Sequence, residues 1–316
     1  MNILFIDRVH DVLEEMLTAA GHHCTHDYTS DKLALQQNLS DCEGIIIRSR
    51  FVIDAAFLDA APNLKFIARA GAGLENIDLA SAKSRNVVVF MVPEANRDAV
   101  GEHAVGMLLM LLNHLKRADS EVRDGIWRRA ENRGTEIGGK TVGIVGFGNM
   151  GSAFAGKLRG FNCRILAYDK YHNNGPDYVT HCSLDQLQQE SDVISVHIPL
   201  TDETLYYIND DFIDHCKKGV YLINTARGKV VETKALVGGL KSGQVAGACL
   251  DVLEYEAISF ERLHAEQLPD DFQYLIQSNN VILSPHIAGW THESHVKLSK
   301  FLGDKILQYF ASPNPL

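Results

Sequence analysis

The chain has 316 residues, 46% of them hydrophobic and 22% charged, which supplies apolar material for two globular cores and excludes a disordered or fibrous chain. A formal charge of -10 disfavours nucleic acid and anionic membranes as partners. The six cysteines lie far apart with no CxxC pair, as expected of a reduced, cytoplasmic protein.

The N-terminal MNILFID reads as a strand, Ile3 to Asp7, with no basic region before it, so no signal peptide is expected. Further strands fall at Gly44 to Arg48, Leu64 to Ala70 and Val87 to Val92, with helical patterns at Asp11 to Ala20 and Asp54 to Ala61 between them. One long helix is predicted from Asp98 to about Ala118. Its most apolar stretch, Ala104 to Leu115, falls short of the ~20 residues a membrane span requires. The apolar run from Ala99 to Leu115 exceeds what one packing face needs and suggests a contact with a second copy.

A second series of strands follows at Thr141 to Val145, Arg164 to Tyr168, Val193 to His197, Val220 to Asn224, Ala246 to Leu250 and Val281 to Leu283. Alternation with helices predicts a doubly wound α/β sheet. The segment after Gly289 reads as a helix that returns to the first domain. His22, His23 and His26, and His286, His292 and His295, cluster without a matching cysteine or carboxylate set, so no metal site is expected.

KTVGIVGFGNMGSAFAGKL places Gly146, Gly148 and Gly151 directly after a strand and at the start of a helix. The first glycine permits a tight turn, the second lets the backbone approach a pyrophosphate, and the third allows close helix packing. Asp169 ends the next strand, where a carboxylate binds ribose hydroxyls and repels a 2′-phosphate. The cofactor read from this segment is NAD.

Three polar residues sit just past strands of the same series: Arg227 in NTARG, Glu256 in LDVLEYE and His286 in SPHIAG. One cation, one carboxylate and one imidazole converging at one sheet edge suggest a catalytic site: an imidazole exchanges a proton near neutral pH, a carboxylate orients the imidazole, and a guanidinium offers a planar fork of donors to an anionic group. These are the candidate catalytic residues.

With ARAGAGLENID at 68–78, VPEANRDAVGEHAVG at 92–106, the glycine loop, VHIPLTDET at 196–204, NTARG, LDV and PHIAG in this order, the chain resembles the D-isomer-specific 2-hydroxyacid dehydrogenase family along nearly its whole length. The resemblance implies a Rossmann NAD-binding domain at 98–288, inserted in a smaller flavodoxin-like α/β substrate domain made of 1–97 and 289–316, and a homodimer. It also implies cofactor contacts from Asn149, Met150, His197, Pro199, Thr204, Thr225, Ala226, Asp251 and Gly289, besides Arg227 and His286. Substrate contacts would come from the backbone of Ala72 and Gly73, with Arg227 and His286. Arg48, Ser49, Arg69, Asn96 and Arg129 resemble positions that 3-phosphoglycerate dehydrogenases use, and several arginines in an acidic chain suit a phosphorylated substrate.

The expected reaction is therefore oxidation of D-3-phosphoglycerate in serine synthesis, with glyoxylate or hydroxypyruvate reduction as the alternative. A dinucleotide-sensing protein resembling the C-terminal binding corepressors is the alternative of another class. Three departures from the family pattern stand out. Ala257 replaces the usual proline, residues 258–280 lengthen the Glu256 to His286 spacing as a lid or an oligomer contact, and Trp290 replaces a small residue. The end at Leu316 suggests no serine-sensing regulatory domain.

Overall fold

The computed structural model describes residues 1–256 and 269–311. These divide into two compact units. The first is Met1–Asn96 with the chain from Trp290 onward, and the second is Arg97–Glu256 with the later residues up to Gly289.

The first unit runs β1 (Asn2–Phe5), α1 (Val12–Ala19), β2 (His23–His26), α2 (Lys32–Gln36), β3 (Gly44–Ile47), α3 (Ala55–Asp59), β4 (Phe66–Arg69), α4 (Leu79–Ser84) and β5 (Val88–Phe90). Its parallel sheet has the order β2-β1-β3-β4-β5, the flavodoxin-like arrangement. Every residue of β3 and β4 is buried, as strands covered on both faces must be. Alternation along β3 sends Ile45 and Ile47 to one core, with Leu39, Phe57 and Ile67, and Ile46 to the other, with Ile3, Leu13 and Phe66.

Two differences from the sequence reading follow from polarity. HCTH forms the edge strand β2, whose residues are mostly exposed and so carry no apolar alternation. Asp31 and Asp78 each accept a backbone N–H at the start of α2 and α4, helices too short to show a period, while Asp54 does the same for α3, which the Asp54 to Ala61 pattern anticipated.

The second unit begins with α5 (Arg97–Leu112) and α6 (Leu115–Arg123). The single helix expected here is broken because His114 takes a left-handed conformation, φ +52°, where the apolar run meets Asn113. The series continues with β6 (Thr141–Val145), α7 (Asn149–Leu158), β7 (Arg164–Tyr168), β8 (Val179–His181), α8 (Leu184–Glu190), β9 (Val193–Val196), α9 (Asp210–Asp214), β10 (Val220–Asn224), α10 (Thr233–Ser242), β11 (Val245–Leu250), α11 (Asp270–Gln277) and β12 (Val281–Leu283). All pairings in its sheet, β12-β11-β10-β9-β6-β7-β8, are parallel. This is the doubly wound order, and it reverses between β6 and β9, where such sheets bind ligands beyond the strand ends. The three-residue edge strand β8 was not legible in the sequence.

Two cores flank this sheet. Val145, Ile194, Leu222 and Leu250 belong to one, and Ile144, Val193, Ile223 and Cys249 to the other. α5 packs against α7, β11 and β12 and buries Ala99, Ala104, Leu108 and Leu111, while Met110 and Leu115 of the run expected to meet a second copy are exposed. The later half of the 258–280 insertion is accounted for. α11 buries Phe272 and Leu275 in the core, while residues 257–268, with Ala257 and the start of the expected lid, lie outside the described residues.

The final helix, α12 (His292–Ala311), belongs to the first unit and packs along α1. Leu298, Leu302 and Ile306 form its buried stripe, each burial contributing roughly 1.5–3 kcal/mol. Among the described residues no helix is long and apolar enough to cross a membrane.

Candidate active site

Arg227, Glu256 and His286 follow three neighbouring parallel strands of the second unit. Asn224 of β10 is level with Leu250 of β11, which is level with Leu283 of β12, so the loops leaving these strands emerge side by side. Asn224 shapes the first loop, donating from Nδ2 to the Arg227 carbonyl at 2.9 Å and accepting the Ala226 amide at 3.0 Å. Gly228 follows because no side chain fits: a Cβ there would stand 1.9 Å from the Leu253 carbonyl oxygen. That contact sets the Arg227 loop directly against the loop that leads to Glu256.

Glu256 accepts the Leu253 amide at Oε1 and the His286 ring at Oε2, 2.6 Å from Nδ1. The carboxylate side chain is 13% exposed and the imidazole 24%, so the pair is largely removed from water without being sealed off. A carboxylate only accepts, so Nδ1 carries the hydrogen of this contact.

Asp251, at the end of β11, is 1% exposed and engages both oxygens within the protein. Oδ1 accepts the Ile287 amide at 2.9 Å and the Ser284 hydroxyl at 2.6 Å, and Oδ2 accepts the Ala288 amide at 2.8 Å. Burial pushes this carboxyl up, but the bonds from His103, Ser284 and the two amides outweigh it and hold the group below the usual carboxylate range. The sequence reading assigned Asp251 to the nicotinamide end; in this structure its carboxylate secures the His286 loop.

The glycine loop joins β6 to α7. Gly146 has φ +91°, and a Cβ on it would lie 2.8 Å from the His197 carbonyl oxygen. On Gly151 a Cβ would lie 2.0 Å from the Gly146 carbonyl oxygen. Gly148, by contrast, faces nothing within 4 Å, so the backbone running into Asn149 and Met150 is bare at the helix N-terminus. These residues fit a dinucleotide pyrophosphate. Asp169 stands on the adjacent strand end, where Oδ2 accepts the Phe147 amide at 2.6 Å and Oδ1 the Tyr171 and His172 amides at 2.8 and 2.9 Å. Partial burial pushes its carboxyl up, but these amides more than offset that and hold it ionised below the usual range.

Other expected cofactor residues have clear local partners. The His197 ring is buried against Phe154, with Nε2 2.8 Å from Ser195 Oγ, and burial drives its pKa down to about 3. Its side chain is a neutral core group, and what it turns toward the glycine loop is its carbonyl. Thr204 staples its own loop, donating to the Pro199 carbonyl at 2.6 Å and accepting the Thr201 amide at 2.7 Å. Thr225 Oγ1 is buried without a hydrogen-bond partner among the described residues, and Ala226 is buried beside it. Gly289 closes the second unit.

In the first unit, Arg48 and Ser49 follow β3. The Asp7 carboxylate, at the end of neighbouring β1, accepts the amides of Arg48, Ser49 and Arg50 at 2.6, 3.0 and 3.2 Å. Asp7 was not singled out in the sequence, although an acid ending an apolar strand is the signal that finds it. The Arg48 guanidinium lies over the Trp290 ring, 4.2 Å from its centre. Arg69 is 7% exposed and donates from Nε to the Arg48 carbonyl at 3.0 Å and from its terminal nitrogen to the Gly73 carbonyl at 2.6 Å. It braces the loop of Ala72 and Gly73. Asn96 Oδ1 is buried without a partner among the described residues. Arg129 belongs to the second unit, in an exposed turn before β6.

Comparison with known proteins finds relatives along nearly the whole chain. The family model for the NAD-binding domain of D-isomer specific 2-hydroxyacid dehydrogenases matches residues 105–288. A glyoxylate reductase of Thermofilum pendens is 36% identical over 93% of this chain and 86% of its own. A D-3-phosphoglycerate dehydrogenase of Archaeoglobus fulgidus is 36% identical over 84% of this chain, which spans about half of that protein, 49%. The crystal structure of D-lactate dehydrogenase from Aquifex aeolicus, complexed with NAD and lactic acid, superposes with a TM-score of 0.84 at 30% identity, covering 98% of this chain and 95% of that one.

Proposed function

This chain belongs to the D-isomer specific 2-hydroxyacid dehydrogenase family and is an NAD-dependent oxidoreductase, and from that premise we propose how its residues divide the reaction and which acid they serve. His286 Nε2 takes the proton of the C2 hydroxyl during oxidation and returns it to the nascent alkoxide during reduction. Glu256 fixes the ring through Nδ1, so that Nε2 alone meets the substrate. Arg227 grips the carboxylate and polarises the 2-keto oxygen with the flat fork of its guanidinium. NAD, when bound, would supply the hydride acceptor or donor for C2; Gly146, Gly148, Asn149, Met150 and Gly151 would hold its pyrophosphate, and Asp169 its ribose.

The observation that carries this reading is the 2.6 Å contact between Glu256 and His286. His286→Ala should abolish turnover while leaving NADH binding intact; near-normal turnover would sink the assignment.

For the acid itself we propose D-3-phosphoglycerate, with the amides of Ala72 and Gly73 on its carboxylate and Arg48 and Arg129 on its phosphate, supported by the resemblance to 3-phosphoglycerate dehydrogenases. A second reading, reduction of glyoxylate or hydroxypyruvate, draws on a specific observation. Arg69 and Arg50 are engaged with main-chain carbonyls, which thins the cation set a phosphate would use. A panel of 3-phosphoglycerate, D-glycerate, D-lactate and glyoxylate with NAD(H) and NADP(H) decides between them, and absence of turnover throughout would favour a dinucleotide-sensing role.

We also propose a cytoplasmic homodimer. Six unpaired cysteines support the compartment, and exposed Leu115, Val122, Ile126 and Trp127 are the apolar surface a second copy would cover. Sedimentation of wild type against Trp127→Glu tests the association.

A further inference from the structure

His286 holds a backbone conformation that a residue with a Cβ does not adopt freely. Its φ is +55°, in the left-handed region, which persists only where the surroundings over-determine it. The bonds that do so converge on Asp251. Its carbonyl accepts the His286 amide at 2.7 Å, and its carboxylate takes the next two amides, those of Ile287 and Ala288. Freedom in that carboxylate is freedom in the peptide that aims the imidazole.

Two groups lie behind Asp251. Ser284 Oγ, 2.6 Å from Oδ1, must donate its hydrogen there, because a carboxylate only accepts. His103 Nε2 stands 2.9 Å from the same hydroxyl and 3.4 Å from Asp251 Oδ1. With the serine proton committed, the contact is a hydrogen bond only when His103 Nε2 carries hydrogen. His103 sits within α5, and one turn later Met107 brings its sulfur 3.7 Å from the serine oxygen. The whole chain of contacts lies within the second unit.

We propose that His103 is a positioning residue for the dehydrogenase reaction: its Nε2–H, acting through Ser284 and Asp251, locks the left-handed turn at His286 and thereby aims the imidazole that exchanges the substrate proton. This rests on the reading of His286 given above. Glu256 holds the ring, and His103 holds the peptide beneath it.

The test compares His103→Leu, His103→Gln, which keeps a donor, and Ser284→Ala in the full chain. His103→Leu and Ser284→Ala should each lower kcat by about 10-fold with the NADH dissociation constant within about twofold, because a misaimed group slows chemistry without loosening the cofactor. Amide exchange at Ile287 and Ala288 should accelerate by at least about 5-fold, reporting the loosened turn directly. His103→Gln should recover most of kcat and of the exchange protection. Unchanged kcat and exchange in His103→Leu, or no advantage of glutamine over leucine, would overturn the proposal. Should His103→Leu not fold, Ser284→Ala decides by the same two measurements, kcat and amide exchange. A wild type that turns over no 2-keto acid, or an active His286→Ala, refutes the reading of the site instead, and exchange at Ile287 and Ala288 still decides whether His103 holds the turn.

Discussion

Glu256 and His286 are 30 positions apart in the chain, yet Oε2 and Nδ1 stand 2.6 Å apart because each leaves one of two paired strands, β11 and β12. The carboxylate does two jobs with two oxygens, one on the ring and one on the Leu253 amide. Glu256→Gln keeps the shape but allows the amide to offer a donor to Nδ1, which selects the wrong tautomer. It should lower kcat by roughly 10²-fold with NADH affinity unchanged. Stopped-flow reduction of the accepted 2-keto acid measures this, and a loss below about threefold would contradict it.

Arg48 and Arg69 should respond differently to the choice of substrate. Arg69 braces the Gly73 carbonyl, so Arg69→Ala should raise KM for phosphorylated and unphosphorylated acids alike. Arg48→Ala and Arg129→Ala should raise KM for 3-phosphoglycerate far more than for D-glycerate, since each removes a proposed phosphate partner. Equal small effects on both acids would remove the phosphate pocket from consideration and leave the small keto acids.

His197 gives the stability a defined pH dependence. Its folded pKa is lowered to about 3 from the ordinary 6.5 because the ring is buried. Between these values the unfolded chain binds a proton that the folded chain refuses, so stability rises with pH through this window. The contribution is complete above 6.5 and is lost as pH falls toward 3. The slope approaches about 1.4 kcal/mol per pH unit. Urea unfolding of wild type against His197→Gln between about pH 4 and 6 should show the shallower slope in the variant; parallel slopes would refute this origin.

Gly228→Ala should destabilise the protein by about 1–3 kcal/mol, since the new methyl meets a main-chain oxygen that cannot swing aside. The strain falls on the turn that carries Arg227, so KM for the acid should rise as Tm drops. An alanine variant with unaltered Tm and KM would show that the two loops separate easily.

Much of this molecule could be read from its residues because the signals are local. Strands such as Gly44–Ile47 and Val193–Val196 are short apolar runs bounded by turns, and the glycine spacing with Asp169 announces a phosphate loop wherever it follows a strand. β2 and β8 escaped because edge strands need no apolar face, and the break at His114 escaped because a single left-handed residue leaves no period in composition.

The sequence by itself determined the two α/β units, the cofactor and the order of Arg227, Glu256 and His286 along the chain. Tertiary structure alone decided what each polar side chain does there: Asp7 tethers the Arg48 loop, Arg69 braces Gly73, His197 turns inward, and Asp251 serves the His286 turn. The physical reason is that buried polar groups must find partners, and in a parallel sheet those partners lie on neighbouring strand ends distant in sequence, as Asp251 and Ser284 do across 33 positions.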